Sequence, residues 1–131
     1  MGMKFQDSTT VNNATWNSST AAGGAGTGAT VAVYAWGYQS ALITYQNTGT
    51  VSAGTVTWEG WDGYNWYVVP SNLIATTSTV ATTYTLTTGS AAFYLNCNGF
   101  SSFRTRLSVA ITGSGSVFVN VNASGASAQN V

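Results

Sequence analysis

Histidine is absent from this chain, cysteine and proline occur once each, and only 5% of the residues are charged. Without histidine the commonest general base and the commonest zinc ligand are missing, and no Ser–His or Cys–His pair can activate a nucleophile. Cys97 cannot close an internal disulfide, and with three carboxylates in the whole sequence it cannot build a zinc or iron–sulfur centre. It reads as a small buried hydrophobe. Three basic side chains balance three acidic ones, for a formal net charge of zero. Nothing clusters into the Lys/Arg patch that phosphate contacts require, so nucleic acid is excluded as a partner. No apolar run approaches the roughly 18 residues of a membrane-spanning helix. The opening stretch MGMKFQDSTT holds no apolar segment of the signal-peptide kind. The glycines from Gly23 to Gly28 lack the Gly-Lys-Ser/Thr ending of a phosphate-binding loop. The Asn-x-Ser/Thr matches at Asn13, Asn17 and Asn122 are what chance supplies in so Asn-, Ser- and Thr-rich a chain. No enzyme activity, cofactor or metal is expected.

What the chain does have is apolar surface. Of 131 residues 44% are hydrophobic and 13% aromatic, including five tryptophans. That is enough for one domain with a core and too little for two. A surface this poor in charge tends to associate, because small domains usually rely on net charge to stay dispersed. Much of the exterior is therefore expected to lie against other subunits.

Two regions differ in texture. Residues 1–30 are small, polar and glycine-rich, with Trp16 as their one large anchor. They read as a flexible or partner-bound N-terminal arm, because such a composition buries too little to offset its own ordering. Residues 31–131 read as strands and turns. VAVYAWGY alternates with period two, and TVTWEGW puts Val56 and Trp58 on one face with Thr57 and Glu59 on the other. Asp62-Gly63 predicts a two-residue hairpin turn, with YNWYVVP as the return strand. In FRTRLSVAI, Phe103, Leu107, Val109 and Ile111 share a parity opposite Arg104 and Arg106. The fold class is all-β: a single antiparallel β-sandwich or jelly roll of about eight strands with an extended N-terminal arm.

The chemistry-bearing residues are few. Glu59 and Asp62 stand three apart at one hairpin, where a glycosidase pair rarely faces across a cleft. Asp62 is read as capping its own turn with Gly63, and Glu59 as the partner of Arg104 or Arg106 in a structural ion pair. Trp58 and Trp66 align with Val56 and Val68 and read as core. Trp61, Tyr64 and Tyr67, at or beside the hairpin tip, and Trp16 on the arm, are the candidate contact residues. Such rings suit sugar faces and protein interfaces alike. The low charge favours protein contact.

Two stretches together resemble small bacteriophage virion structural proteins with a β-sandwich fold, of the head decoration, cement or tail-associated type. GTVTWEGWDGYNWYVVP resembles a strand–turn–strand unit of theirs through Trp58, Glu59, Gly60, Asp62, Gly63 and Trp66. GFSSFRTRLSVAITGSGSVFVNVNAS is similar to their closing unit through Gly99, Phe100, Arg104, Arg106, Gly113 and Ser114. The first unit is one residue shorter here, with Trp61 alone where a Ser-Asn or Ser-Asp pair is usual, which implies an added contact at the tip. The resemblance implies a non-enzymatic viral structural protein on the exterior of the virion, most simply a capsid decoration or cement protein. Its partners would be other virion proteins, the major capsid protein first, and it would act as a homo-oligomer, a trimer by the habit of such proteins. The alternatives it leaves are a neck or tail component, or a carbohydrate-binding, lectin-like module of a tail fibre whose partner is a surface glycan.

Overall fold

The computed structural model describes residues 10–24, 27–35, 38–75, 80–96 and 99–124. Cys97 lies outside the described residues. Among these residues the chain forms eleven strands and one 3-10 turn, Leu86–Thr88. The strands are β1 Thr10–Trp16, β2 Thr30–Tyr34, β3 Ser40–Thr48, β4 Ala53–Trp61, β5 Trp66–Val68, β6 Ser71–Leu73, β7 Val80–Ala81, β8 Thr83–Thr85, β9 Ala91–Asn96, β10 Ser102–Thr112 and β11 Ser116–Ser124. They make a sandwich of two antiparallel sheets. The first, sheet A, runs β1-β11-β3-β9-β6-β7, and the second, sheet B, runs β2-β10-β4-β5, with β8 also paired to β4.

Alternation builds both sheets. In β3, Ala41, Ile43 and Tyr45 turn inward while Leu42 and Gln46 face out. In β11, Val117, Val119, Val121 and Ala123 are buried and Phe118 is exposed. β-Branched side chains suit such a pleated, half-buried surface. Opposite them, Val56 and Trp58 of β4 and Phe103, Thr105 and Leu107 of β10 complete the core. One polar bridge spans the sheets inside it. The indole Nε1 of Trp58 donates to the Tyr45 hydroxyl at 2.9 Å, and that hydroxyl lies 2.6 Å from Thr105 Oγ1. Burial pushes the Tyr45 pKa up, and the hydrogen bonds to Thr105 and Trp58 offset this only in part. The core therefore holds Tyr45 neutral.

Three features depart from the sequence reading. The arm expected over residues 1–30 is, from Thr10 on, part of the sandwich. β1 pairs with β11 from Thr10↔Ala123 to Trp16↔Val117, and Asn12 Nδ2 donates to the Ala32 carbonyl of β2. Trp16 is a core residue at 3% exposure, which corrects its assignment as a contact peg. TVNNATW has too few apolar residues to advertise a strand; it is held by backbone pairing to β11 and by one buried ring. The count of eight strands also rises, because β1, β6 and β7 come from stretches that read as arm or loop. Finally, Val109 is 51% exposed, whereas Leu107 and Ile111 are buried. The β10–β4 register shifts between Leu107 and Val109 and again between Val109 and Thr112. Each shift inserts one extra residue, so the first turns Val109 outward and the second returns Ile111 to the core. Ile111 then packs over Gly54, where an added Cβ would sit 3.0 Å from Ile111 Cγ1 and 3.1 Å from Leu86 Cδ1.

Removing residues 1–16 should lower the unfolding midpoint in urea and leave the β11 edge open to self-association, measured by circular dichroism and light scattering. Replacement of Tyr45 by Phe strands the Trp58 N–H and should cost about 1–3 kcal/mol in urea unfolding, with the fold retained.

Candidate functional site

Among the described residues, the outer face of sheet B carries the buried charge and an aromatic wall side by side. Cross-strand register sets three rows there. The first is Tyr34–Ser102–Trp61–Trp66, the second Ala32–Arg104–Glu59–Val68, and the third Thr30–Arg106–Thr57–Thr83. The pleat alone brings each set together, since residues on one parity of adjacent strands share a face.

In the second row Glu59 meets both arginines. Arg104 brings Nε to 2.7 Å and Nη2 to 2.7 Å of Glu59 Oε1. Arg106 brings Nε to 3.1 Å and Nη2 to 3.0 Å of Oε2. All three side chains are buried although they point away from the core. Two covers explain this. The segment before β2 lies over Arg106, whose Nη1 donates to the carbonyls of Gly23 at 2.6 Å and Gly24 at 2.9 Å. The Trp66 ring lies over Arg104, with the guanidinium carbon 4.0 Å from the ring centroid, a cation–π contact. Burial alone would raise the Glu59 carboxyl, but the hydrogen bonds from Arg106 and Arg104 and their charges together hold it below its ordinary value.

The first row forms an open hollow of about 350 Å³ lined by Tyr34, Trp61, Trp66, Ser101 and Ser102. It continues over Ala32 and Val33. Tyr34 is 75% exposed, whereas Trp61 and Trp66 are half-buried and pack on each other, ring centroids 5.2 Å apart and tilted by 49°. Ser102 is the small residue between the two walls. Trp66, expected in the core, lies instead on the outer face of the sheet, half-buried against Trp61 and Arg104. Tyr34 and Ser102 were missed as site residues. The alternation of VAVY already places Ala32 and Tyr34 opposite Val31 and Val33, and that was the available signal.

The hairpin that presents Trp61 and Trp66 closes through four residues, Asp62 to Asn65, because Trp61 pairs with Trp66. The two-residue turn expected from Asp62-Gly63 gives way to one capped by a side chain. Asp62 Oδ1 accepts the backbone N–H groups of Tyr64 and Asn65, each at 2.8 Å, and Gly63 adopts φ 109°. The backbone N–H groups of Asn65 and Tyr64 hold the Asp62 carboxyl below its usual range. Tyr64 and Tyr67 are exposed on this hairpin, outside the lining of the hollow. Among the described residues no three His, Cys, Asp or Glu side chains gather to hold a metal ion, and no helix is long and apolar enough to cross a membrane.

No family model and no curated protein matches the chain by sequence. Solved structures do match by shape. The crystal structure of the SPBc2 prophage-derived protein YomS superposes with a TM-score of 0.56 at 10% identity, over 87% of this chain and 94% of that one. The PBSX exported protein XepA superposes with a TM-score of 0.60 at 19% identity, over 86% of this chain and 38% of that one. The fold is one that phage-derived proteins use. At these identities the likeness is one of architecture, and residue roles rest on the geometry above.

Replacing Glu59 by Ala leaves two guanidinium groups buried without their carboxylate, and should cost about 3–5 kcal/mol in urea unfolding. Because the folded Glu59 pKa lies below its ordinary 4.5, the stability it contributes is fully present above that value and lost as pH falls through the folded one. The thermal midpoint should be level from about pH 8 to about pH 5.5 and decline below about pH 4.5, less steeply in Glu59→Gln.

Proposed function

We propose that this chain is a non-enzymatic structural protein of a phage particle, working by adhesion to other virion proteins. The finer reading is a capsid decoration or cement protein on the particle exterior, acting as a homotrimer that bridges major capsid subunits.

The observation that carries the reading is the outer face of sheet A. Its rows are Val11–Asn122–Leu42–Tyr94, Asn13–Asn120–Thr44–Ala92 and Thr15–Phe118–Gln46. No charged residue stands in any of them, and Val11, Leu42, Tyr94 and Phe118 are each 38–50% exposed. A broad sheet face without charge has little to keep a neighbour away. Four strands about 4.8 Å apart and about seven residues long give a face on the order of 400 Å². That is about half of one partner's share of a standard interface. Adhesion through it needs a further patch or many copies acting together, and a particle lattice supplies copies in register. The fold shared with a prophage-derived protein supports the same reading.

Purified protein should elute as a closed oligomer in size-exclusion chromatography with light scattering, and should co-sediment with particles that lack it. The double variant Leu42→Lys, Phe118→Lys should fold with a midpoint within a few degrees of the parent and lose both properties. A dispersed monomer that leaves particles untouched would overturn the assignment.

A further inference from the structure

We propose that the hollow between Tyr34 and the Trp61–Trp66 pair binds a neutral sugar ring. This goes beyond adhesion to virion proteins and uses the opposite face of the sandwich.

The argument begins with spacing. Tyr34 and Trp61 stand on strands β2 and β4, both paired to β10, with Ser102 between them. Their backbones are therefore about 10 Å apart. One ring held in van der Waals contact on both sides needs about 7–8 Å between the flanking planes. The slot is one ring thick because its central position is a serine; a larger residue at Ser102 would fill it. Its volume of about 350 Å³ sits at the low end of small-molecule sites, which suits one or two sugar rings.

Chemistry narrows the occupant. The walls are aromatic side chains, and Ser101 and Ser102 line the floor. Ser101 Oγ donates to the Trp61 carbonyl at 3.2 Å, which leaves its oxygen able to accept. A pyranose matches this pattern, with C–H faces for the rings and a rim of hydroxyls for the floor. No charged side chain lines the hollow among the described residues. Arg104 is buried beneath Trp66 and engaged by Glu59, so a neutral sugar is favoured over an anionic one. A proline-rich peptide would want a run of aromatic ridges along a groove, not one slot.

The wall is also built in advance. Trp66 is held between Trp61 and the Arg104 guanidinium, itself fixed by Glu59. Rings that are already in place lose little freedom on binding, which is where affinity for a small ligand is usually lost. Glu59 is in this sense a positioning residue for the wall.

The test is a tryptophan-fluorescence titration of the full chain with the methyl glycosides of glucose, galactose, mannose and N-acetylglucosamine. At least one should give a saturable change in the millimolar range. Tyr34→Ala, at a position 75% exposed, should leave near-ultraviolet circular dichroism and the thermal midpoint unchanged and weaken binding at least about tenfold. Ser102→Leu should abolish it. Tyr64→Ala, on the hairpin but outside the hollow, should bind as the parent does. Absence of a saturable response to all four glycosides overturns the proposal. So does equal binding by folded Tyr34→Ala, or a stronger response to sialic acid or to a proline-rich peptide than to any of them.

Discussion

One carboxylate organises an entire end of this molecule. Glu59 lies on the outer face of its sheet, where a side chain would ordinarily meet water, yet it is 3% exposed. Two arginines from the adjacent strand converge on it, one on each oxygen. Buried ion pairs seldom add much net stability, because desolvation offsets most of their attraction. What this one contributes is position. Arg106 reaches past Glu59 to hold the Gly23 and Gly24 carbonyls, and Arg104 underlies Trp66. The segment leading into β2 and the wall of the hollow are both placed by the same carboxylate.

The two outer faces of the sandwich are therefore different surfaces. Sheet A presents Asn, Thr, Gln and scattered apolar groups across four strands, with no charged residue in its rows. Sheet B tucks its charges under a loop and a ring, and leaves an aromatic slot beside them. The inner faces, by contrast, are alike: valines, aromatics and one hydroxyl–indole bridge from Tyr45 to Trp58. Function on this scaffold divides by face because the core demands only that alternate residues be apolar, and says nothing about their outward neighbours.

Much of this was legible in the residues themselves. The parity of TVTWEGW puts Val56 and Trp58 on the core face, although Thr57 and Glu59 on the opposite face are buried as well. The sequence pointed to Glu59 meeting Arg104 or Arg106; that both arginines reach it comes from the β4–β10 register. Other elements were hidden for identifiable reasons. β1 carries little apolar signal because its place depends on hydrogen bonds lent by β11. Val109 broke its own pattern because β10 shifts register twice against β4, which no local period shows. Trp66 read as core because it shares parity with Val68, yet pairing with Trp61 and Glu59 puts both residues on the outer face.

The sequence by itself determined that this is an all-β chain without histidine, with a turn at Asp62-Gly63 and a core of alternating valines and aromatics. These depend on residue identity and local period, which tertiary context cannot alter. Only the tertiary structure decided that Trp16 belongs to the core, and that Tyr34, Ser102, Trp61 and Trp66 stand in one row. Those four come from four strands. Which strands lie side by side is settled by how the whole chain covers its two sheets, a choice made between distant segments and written in no single one of them.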